Sequence, residues 1–349
     1  MIELAAVVAA LAAIVVLGPG LGGLRSRLAH GSPGWVAGAT VLEVLSALSY
    51  VVIFRAVFCP RMSRRLSYQI GMAEQGANSV LSVSGAGGLA LGVWALRRAG
   101  MTANHIGRRT VAFFLLTSLA NVTGVIVFAA LSLLGLIDDP TPALTYVFGL
   151  AAAAVVALVL ALGRVLRRPS AAPSAANPQR RLSRAARFGR DAVGQGVGDA
   201  VLLLRRRPTG VIAGSVGTMG FDIAVLAACF AAFGHVPPLG VVVLGYLIGQ
   251  LGGNLPTPGG IGGVDGGLIG TFALYHQPLA ATTAAVLAYH AIAIWVPALL
   301  GSVAFVQLRN TLRREAQPAA LCAPLAEPID MGTALGSPDT LHPVRPVMP

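Results

Sequence analysis

The sequence predicts an all-α polytopic membrane protein of about six full spans and two re-entrant broken-helix hairpins, arranged as an inverted-topology repeat. Three observations predict this. Hydrophobic residues make up 55% of the chain and charged residues only 11%, with a mean hydropathy of +0.76, a composition foreign to soluble domains. Several apolar runs reach the roughly 17 to 25 residues that a membrane-crossing helix needs. Two further apolar regions are interrupted by glycine-rich breaks, which leave each arm too short to cross alone.

The full spans are read at 4–21, 35–58, 111–137, 143–162, 211–233 and 281–308. The first lacks a basic leader and a small-x-small cleavage site, so it is expected to be a retained span rather than a signal peptide. The broken regions are 68–96 and 237–275. Arg61, Arg64 and Arg65 precede the first, and Arg97, Arg98, Arg108 and Arg109 follow it. The positive-inside rule therefore places both of its ends in the cytoplasm. The second region is flanked by His235, His276 and Gln277 with no arginine, which suits a hairpin entering from outside. Arg25 and Arg27 dissent, since this topology puts them in the first external loop.

All 25 basic residues are arginine, and the net charge is +12. Eleven of these arginines lie between Arg164 and Arg207. Within that stretch Leu182, Ala186, Gly189, Val193, Val197, Ala200 and Leu204 recur at helical spacing, with Arg180, Arg184, Arg187 and Arg190 on other faces. Two readings stand: an interfacial helix lying on the anionic inner leaflet, with the contact at Arg180 to Arg190, or a solvated basic linker that enforces topology. The near absence of aromatic residues there argues against nucleic acid.

The expected organisation is an N-terminal membrane half at 1–163, a basic cytoplasmic linker with its interfacial helix at 164–208, a C-terminal membrane half at 209–314, and a disordered Pro-rich tail at 315–349. The predicted location is the plasma membrane, multi-pass, with a cytoplasmic C-terminus. Cys59, Cys229 and Cys322 have no metal or redox spacing.

Written as directions across the bilayer, the second half of this topology is the first turned over. Asn78 is followed by SVSGAGG and an apolar half-helix, and Asn254 by PTPGGIGGVDGG and another. Glu43 and Asp222 each fall midway along the span preceding a hairpin. Inverted repeats of this kind place a substrate site where the halves meet near the midplane. The segment GGNLPTPGGIGGVDGG, residues 252–267, holds eight glycines and two prolines. Such backbone is tolerated at membrane depth only when buried in protein or lining a watery cavity.

NSVLSVSGAGGLALGVWALRRAG from Asn78, NLPTPGGIGGVDGGLIGTFALY from Asn254, and AAVLAYHAIAIWVPALLGSVAFVQLR ending at Arg309 resemble the transmembrane family of lysylphosphatidylglycerol synthases, also called flippase-like domain proteins. The resemblance spans roughly residues 35–309. In the best-understood members such a domain is joined to a cytosolic aminoacyl-transferase and moves aminoacylated phospholipid between leaflets. This chain looks like a stand-alone member without that transferase. The resemblance implies translocation of a polar-headed lipid, phospholipid or polyprenyl-linked. The alternative is a non-catalytic membrane partner of a separately encoded synthase or glycosyltransferase. Where the family usually has Glu after the Pro-Gly-Gly turn this chain has Asp265, and where an Arg commonly follows the aromatic of the last span it has His290.

Candidate substrate-binding residues follow. A charge at the bilayer centre costs on the order of 3 kcal/mol or more, so Glu43, Asp222 and Asp265 need partners, water or a proton; each is a site candidate or a helix-joining hydrogen-bond group. Glu74 is placed nearer the cytoplasmic mouth. Asn78, Gly87 and Gly88 at one break, and Asn254, Pro258, Gly259 and Gly260 at the other, give a headgroup access to exposed amides at half-helix N-termini; the competing role is close helix packing. Arg97 and Arg98 are phosphate contacts or topology anchors. His290 is a proton-coupling partner for Asp265 or Asp222, or a packing residue. No nucleophile triad, zinc site or phosphate loop is present in the sequence, so no catalytic residue, metal or cofactor is expected, and a lipid-modifying enzyme is the less favoured alternative.

Overall fold

The computed structural model describes residues 31–81, 86–137, 141–166, 181–206, 208–250 and 263–314. The expected span at 4–21 and the tail at 315–349 lie outside them. The described residues form helices and no strands. In chain order these are α1 Pro33–Phe58, α2 Arg64–Leu81, α3 Ala86–Arg98, α4 Ala103–Leu133, α5 Pro142–Leu166, α6 Arg181–Arg206, α7 Pro208–Ala232, α8 Leu239–Gly249, α9 Gly263–Leu274 and α10 Leu279–Arg314. Of these α1, α4, α5, α7 and α10 are long and apolar enough to cross a membrane. They match the sequence-predicted spans from 35–58 onward. The paired short helices α2/α3 and α8/α9 are the predicted broken hairpins.

Prolines open α1 and α7 at the first helical position, where a missing N–H costs nothing. Thr102 caps α4, its side chain accepting from the His105 amide. The two hairpins end on matching turns. Gly100 and His276 both have positive φ, at 88° and 57°, and they lie 276 − 100 = 176 positions apart. The same offset carries Ala99 N–H to Ala95 O onto Tyr275 N–H to Thr271 O, and Met101 N–H to Leu96 O onto Gln277 N–H to Phe272 O. It carries the end of α3 onto the end of α9 and the start of α4 onto the start of α10, and it superposes Asn78 on Asn254 in sequence. The internal repeat is therefore present down to the backbone hydrogen bonds of its turns.

The repeats pack around α1 and α7, which make the most extensive helix pairing among the described residues. They run antiparallel. A Cβ at Gly214 would come within 2.6 Å of Ile53 N, one at Gly217 within 2.7 Å of Ser49 Oγ, and one at Gly210 within 3.3 Å of Ala56 Cβ. At the far end Ser32 N–H donates to Ala232 O at 2.9 Å. Glycines at this spacing let two backbones touch, which is how helices associate in lipid without a hydrophobic driving force. The second large seam joins α2 to α10. There Gly76 and Gly301 meet backbone to backbone, and a Cβ at Gly301 would lie 2.5 Å from Gly76 Cα.

These two antiparallel seams place the ends of α1 and α3, the starts of α2, α4 and α7, and the end of α10 at one face. One apolar cluster ties that face together, including Phe58, Met62, Leu66, Leu96, Met101, Val211 and Leu308. Arg55, Arg61, Arg64, Arg97, Arg98, Arg206 and Arg309 all lie at it. The opposite face carries the mouth of α8/α9, closed by His235 with Gln277 at 3.0 Å and by Thr145 with Tyr275 at 3.0 Å. The hairpins thus open toward opposite faces, as the flanking charges predict.

The helix α6 is more integrated than a free surface helix. Val197, Ala200 and Leu203 are buried against α4 and α5, a Cβ at Gly196 would meet Val111 at 2.6 Å, and Asp199 bridges Arg108 and Arg109 at 3.4 and 3.6 Å. The C-terminal part of its apolar stripe is therefore covered by protein. Arg180 and the side chains of Arg184, Arg187 and Arg190 lie outside the described residues.

In a cysteine-free background, single cysteines at Arg98 and His276 should react with impermeant reagents from the cytoplasm and from outside, respectively. Labelling of both from one side would contradict the inverted arrangement.

Candidate functional site

Near the middle of α7, Asp222 is half-buried and needs partners from within the membrane region. Its partners come from the opposing repeat and from the second hairpin. Ser46 Oγ on α1 donates to Asp222 Oδ1 at 2.5 Å, and Tyr246 OH on α8 donates to Oδ2 at 2.9 Å. Ser46 and Asp222 are themselves related by the 176-residue offset of the repeat. A residue that bonds its own repeat-mate lies at the pseudo-twofold axis, so Asp222 marks the centre of the molecule.

The cluster extends outward through tyrosines. Tyr289 on α10 meets Tyr246 ring to ring, edge to face with centroids 6.2 Å apart. Gln250 Nε2 then donates to Tyr289 OH at 3.3 Å. The Tyr246 hydroxyl hydrogen goes to Asp222, and Gln250 and Tyr289 extend the polar lining outward from it.

Glu43, one turn along α1 from Ser46, is 5% exposed and close enough to repel Asp222. Its Oε2 is buried with no hydrogen-bond partner. No cation pairs with Glu43 or Asp222 among the described residues. Two carboxylates in a weakly screened interior repel strongly, so this centre favours a proton or a cationic group, while the tyrosine and serine hydroxyls offer polar contacts.

A third carboxylate stands at the start of α9. The broken turn delivers Asp265 into the first helical turn, and His290 of α10 meets it with Nδ1 to Oδ1 at 2.6 Å. Both side chains are 12% exposed. His290 follows Tyr289 in sequence, so the two centres adjoin. Of the two partners the sequence offered His290, the structure selects Asp265.

Near the first hairpin the expectation for Glu74 fails. This residue is 9% exposed and lies inside the hairpin, not at its mouth. A Cβ on Gly92 would come within 2.6 Å of its Oε2, which is buried without a hydrogen-bond partner. Sequence position misleads here because α2 starts at the arginine-rich face and carries Glu74 inward by about 15 Å, at 1.5 Å per residue. Asn78 Oδ1 accepts from Gly88 N–H at 3.1 Å, so Asn78 satisfies the first turn of α3. A Cβ at Gly88 would lie 2.5 Å from Asn78 Oδ1, which explains the glycine as a close-approach residue. Gly87 is half-buried beside it.

Arg97 and Arg98 are exposed at the arginine-rich face, away from the carboxylates. Arg97 reaches the Met101 carbonyl at 3.5 Å, and the Arg98 guanidinium lies 5.9 Å over Trp94. Asn254, Pro258, Gly259 and Gly260 lie outside the described residues.

Sequence reasoning missed Ser46, Tyr246, Gln250 and Tyr289. The usable signal was the phenol-bearing tyrosine in each otherwise apolar segment, since buried tyrosine hydroxyls normally find a partner. Their convergence on carboxylates depends on tertiary packing.

The family model for the lysylphosphatidylglycerol synthase TM region matches residues 2–301. The chain belongs to this family. Comparison with curated protein sequences gives no match. Membership in the lysylphosphatidylglycerol synthase TM region family ties the protein to lipid handling in a membrane, consistent with a polar centre held at mid-depth between two hairpins.

The Asp265 to His290 contact predicts a measurable coupling. Asp265→Asn and His290→Gln should each lower the apparent unfolding free energy in detergent, and the double variant should lose less than their sum by about 0.5 to 3 kcal/mol. Additivity within about 0.3 kcal/mol would mean that the contact contributes nothing.

Proposed function

We propose that this protein moves a polar-headed lipid between the leaflets, the headgroup passing the carboxylate and tyrosine centre while the chains remain in hydrocarbon. The observation that carries this reading is the position of Glu43 and Asp222. Glu43 is buried and Asp222 half-buried, neither is compensated by any described cation, and they stand by the pseudo-twofold axis where α1, α7 and the second hairpin meet. Buried carboxylates at mid-membrane are costly to retain, and a polar route for a headgroup gives them a use.

On this reading the hairpins opening to opposite faces give access from each leaflet, and Asp265 with His290 lines the way beside the second break. The protein acts without covalent chemistry, in the plasma membrane with its C-terminus in the cytoplasm, and the arginines of the first half of α6 rest on the anionic leaflet. The family's tie to lipid supports a lipid rather than a soluble solute.

In proteoliposomes carrying fluorescent phospholipids or polyprenyl-phosphate lipids, the protein should accelerate exchange between leaflets. Asp222→Asn keeps the shape and removes the charge, and should slow exchange by about ten-fold, the equivalent of about 1.4 kcal/mol, with thermal stability near the parent's. Normal transport by a stable Asp222→Asn protein would make the carboxylate structural. A parent that moves no lipid across a broad panel, yet is required by a purified synthase for activity, would favour the partner-subunit role instead.

A further inference from the structure

A cavity of about 800 Å³ opens at the arginine-rich face, well away from the carboxylate centre, and is lined by α1, α2, the end of α6 and the start of α7. Its walls differ sharply along α1. Leu48, Val51 and Val52 form the inner part, and Arg55 stands outward of them with Ala56. From Leu48 to Arg55 the rise is about 10 Å, so over that distance the lining changes from aliphatic to cationic. Leu48 and Val52 are 40% and 47% exposed, which leaves the aliphatic wall open toward lipid.

The outer part gathers three arginines, Arg55, Arg64 and Arg206, with Ser67 and Thr209, and no carboxylate is among the lining residues. None of the three forms an ion pair with a carboxylate among the described residues. Arg55 Nε donates to Met62 O at 3.0 Å, which fixes the plane of its guanidinium. Two helix N-termini converge on the same place. Arg64 and Ser67 belong to the first turn of α2, and Thr209 and Gly210 to the first turn of α7. At α2, Ser63 already accepts from the Leu66 amide and from the amide and hydroxyl of Ser67, so what the two helix starts add to the guanidinium charge is their positive dipole ends. Such a set of donors matches the tetrahedral oxygens of a phosphate, for which arginine is better suited than a point charge.

We propose that this cavity binds the phosphate of an anionic lipid, its acyl or prenyl chain lying along Leu48 and Val52. This inference deepens the transport reading by naming the class of cargo, a lipid with a phosphate, and the place where it docks before reaching the membrane centre. The aliphatic wall distinguishes the site from one for a free anion: a soluble phosphate uses the arginines but gains nothing from Leu48, Val51 and Val52.

The test is equilibrium binding, measured without transport, so that a protein which binds but moves nothing separates the two claims. The full-length protein in nanodiscs of phosphatidylcholine is titrated with a spin-labelled or fluorescent phosphatidylglycerol, and in a parallel arm with glycerol phosphate as competitor. Binding should be saturable at one site. Arg55→Gln, Arg64→Gln and Arg206→Gln should each weaken it about ten-fold, the size expected for loss of a charge-assisted hydrogen bond. Arg61→Gln and Arg313→Gln, on the same face but outside the cavity, should bind like the parent. Equal weakening by all five substitutions would show only a diffuse basic face and overturn the site. Displacement of the lipid by glycerol phosphate at comparable concentration would overturn the lipid assignment. Should Arg64→Gln fold poorly, Arg206→Gln at the helix junction and the Val52→Asp wall variant carry the test: both must weaken lipid binding, and retention by both contradicts the proposal.

Discussion

Backbone contact between α1 and α7 organises the rest of the molecule. Gly210, Gly214 and Gly217 remove the side chains that would hold these helices apart, and the resulting approach places Ser46 within hydrogen-bonding distance of Asp222. With larger residues there, Ser46 and Asp222 would separate and the carboxylate would lose a donor in a medium that supplies no replacement. The same seam fixes the relation of the two repeats, and hence the opposite sense in which the hairpins open. Gly76 and Gly301 do the corresponding job where α2 crosses α10. Small residues here serve as the attractive surface, because in lipid van der Waals contact and hydrogen bonds replace hydrophobic burial as the cause of helix association.

Much of this architecture was legible in the sequence. The long apolar runs give α1, α4, α5, α7 and α10, with ends that differ by up to eight residues at the start of α4 and six at the end of α10, because polar and basic turns extend these helices beyond their apolar stretch. The glycine-rich breaks and flanking arginines give both hairpins and their sense. Asp222 and Asp265 were readable as carboxylates that hydrocarbon would not tolerate alone. What was not readable is partnership. Glu74 looks peripheral by position yet lies buried against Gly92, because the hairpin folds it inward. The arginines of α6 suggest a surface helix, but Asp199 turns part of it onto Arg108 and Arg109 of α4. Tyr246 and Tyr289 join the site only when α8 and α10 bring their rings together and their hydroxyls meet Asp222 and Gln250.

Two chemically opposite environments result. The membrane centre holds Glu43 and Asp222 without a described cation, whereas the arginine-rich face holds Arg55, Arg64 and Arg206 without a carboxylate in the cavity lining. An amphiphile with a phosphate would be attracted at the face, and its remaining polar groups would meet hydroxyls and carboxylates deeper in. The connection between the environments is α1, whose one face carries Leu48, Val52 and Arg55 and whose other carries Glu43 and Ser46.

The α1 to α7 seam is therefore the central claim, and disulfide trapping tests it most directly. With the native cysteines replaced, Ser49→Cys and Gly217→Cys place two thiols at positions where a Cβ on residue 217 lies 3.1 Å from that of Ser49, within reach of a disulfide after a slight shift. Mild oxidation of native membranes should cross-link this pair nearly completely, as read by the mobility of the chain cut between α1 and α7 before and after reduction. A pair that stays reduced, while the chain remains folded and its thiols react with a small alkylating reagent, would contradict the account.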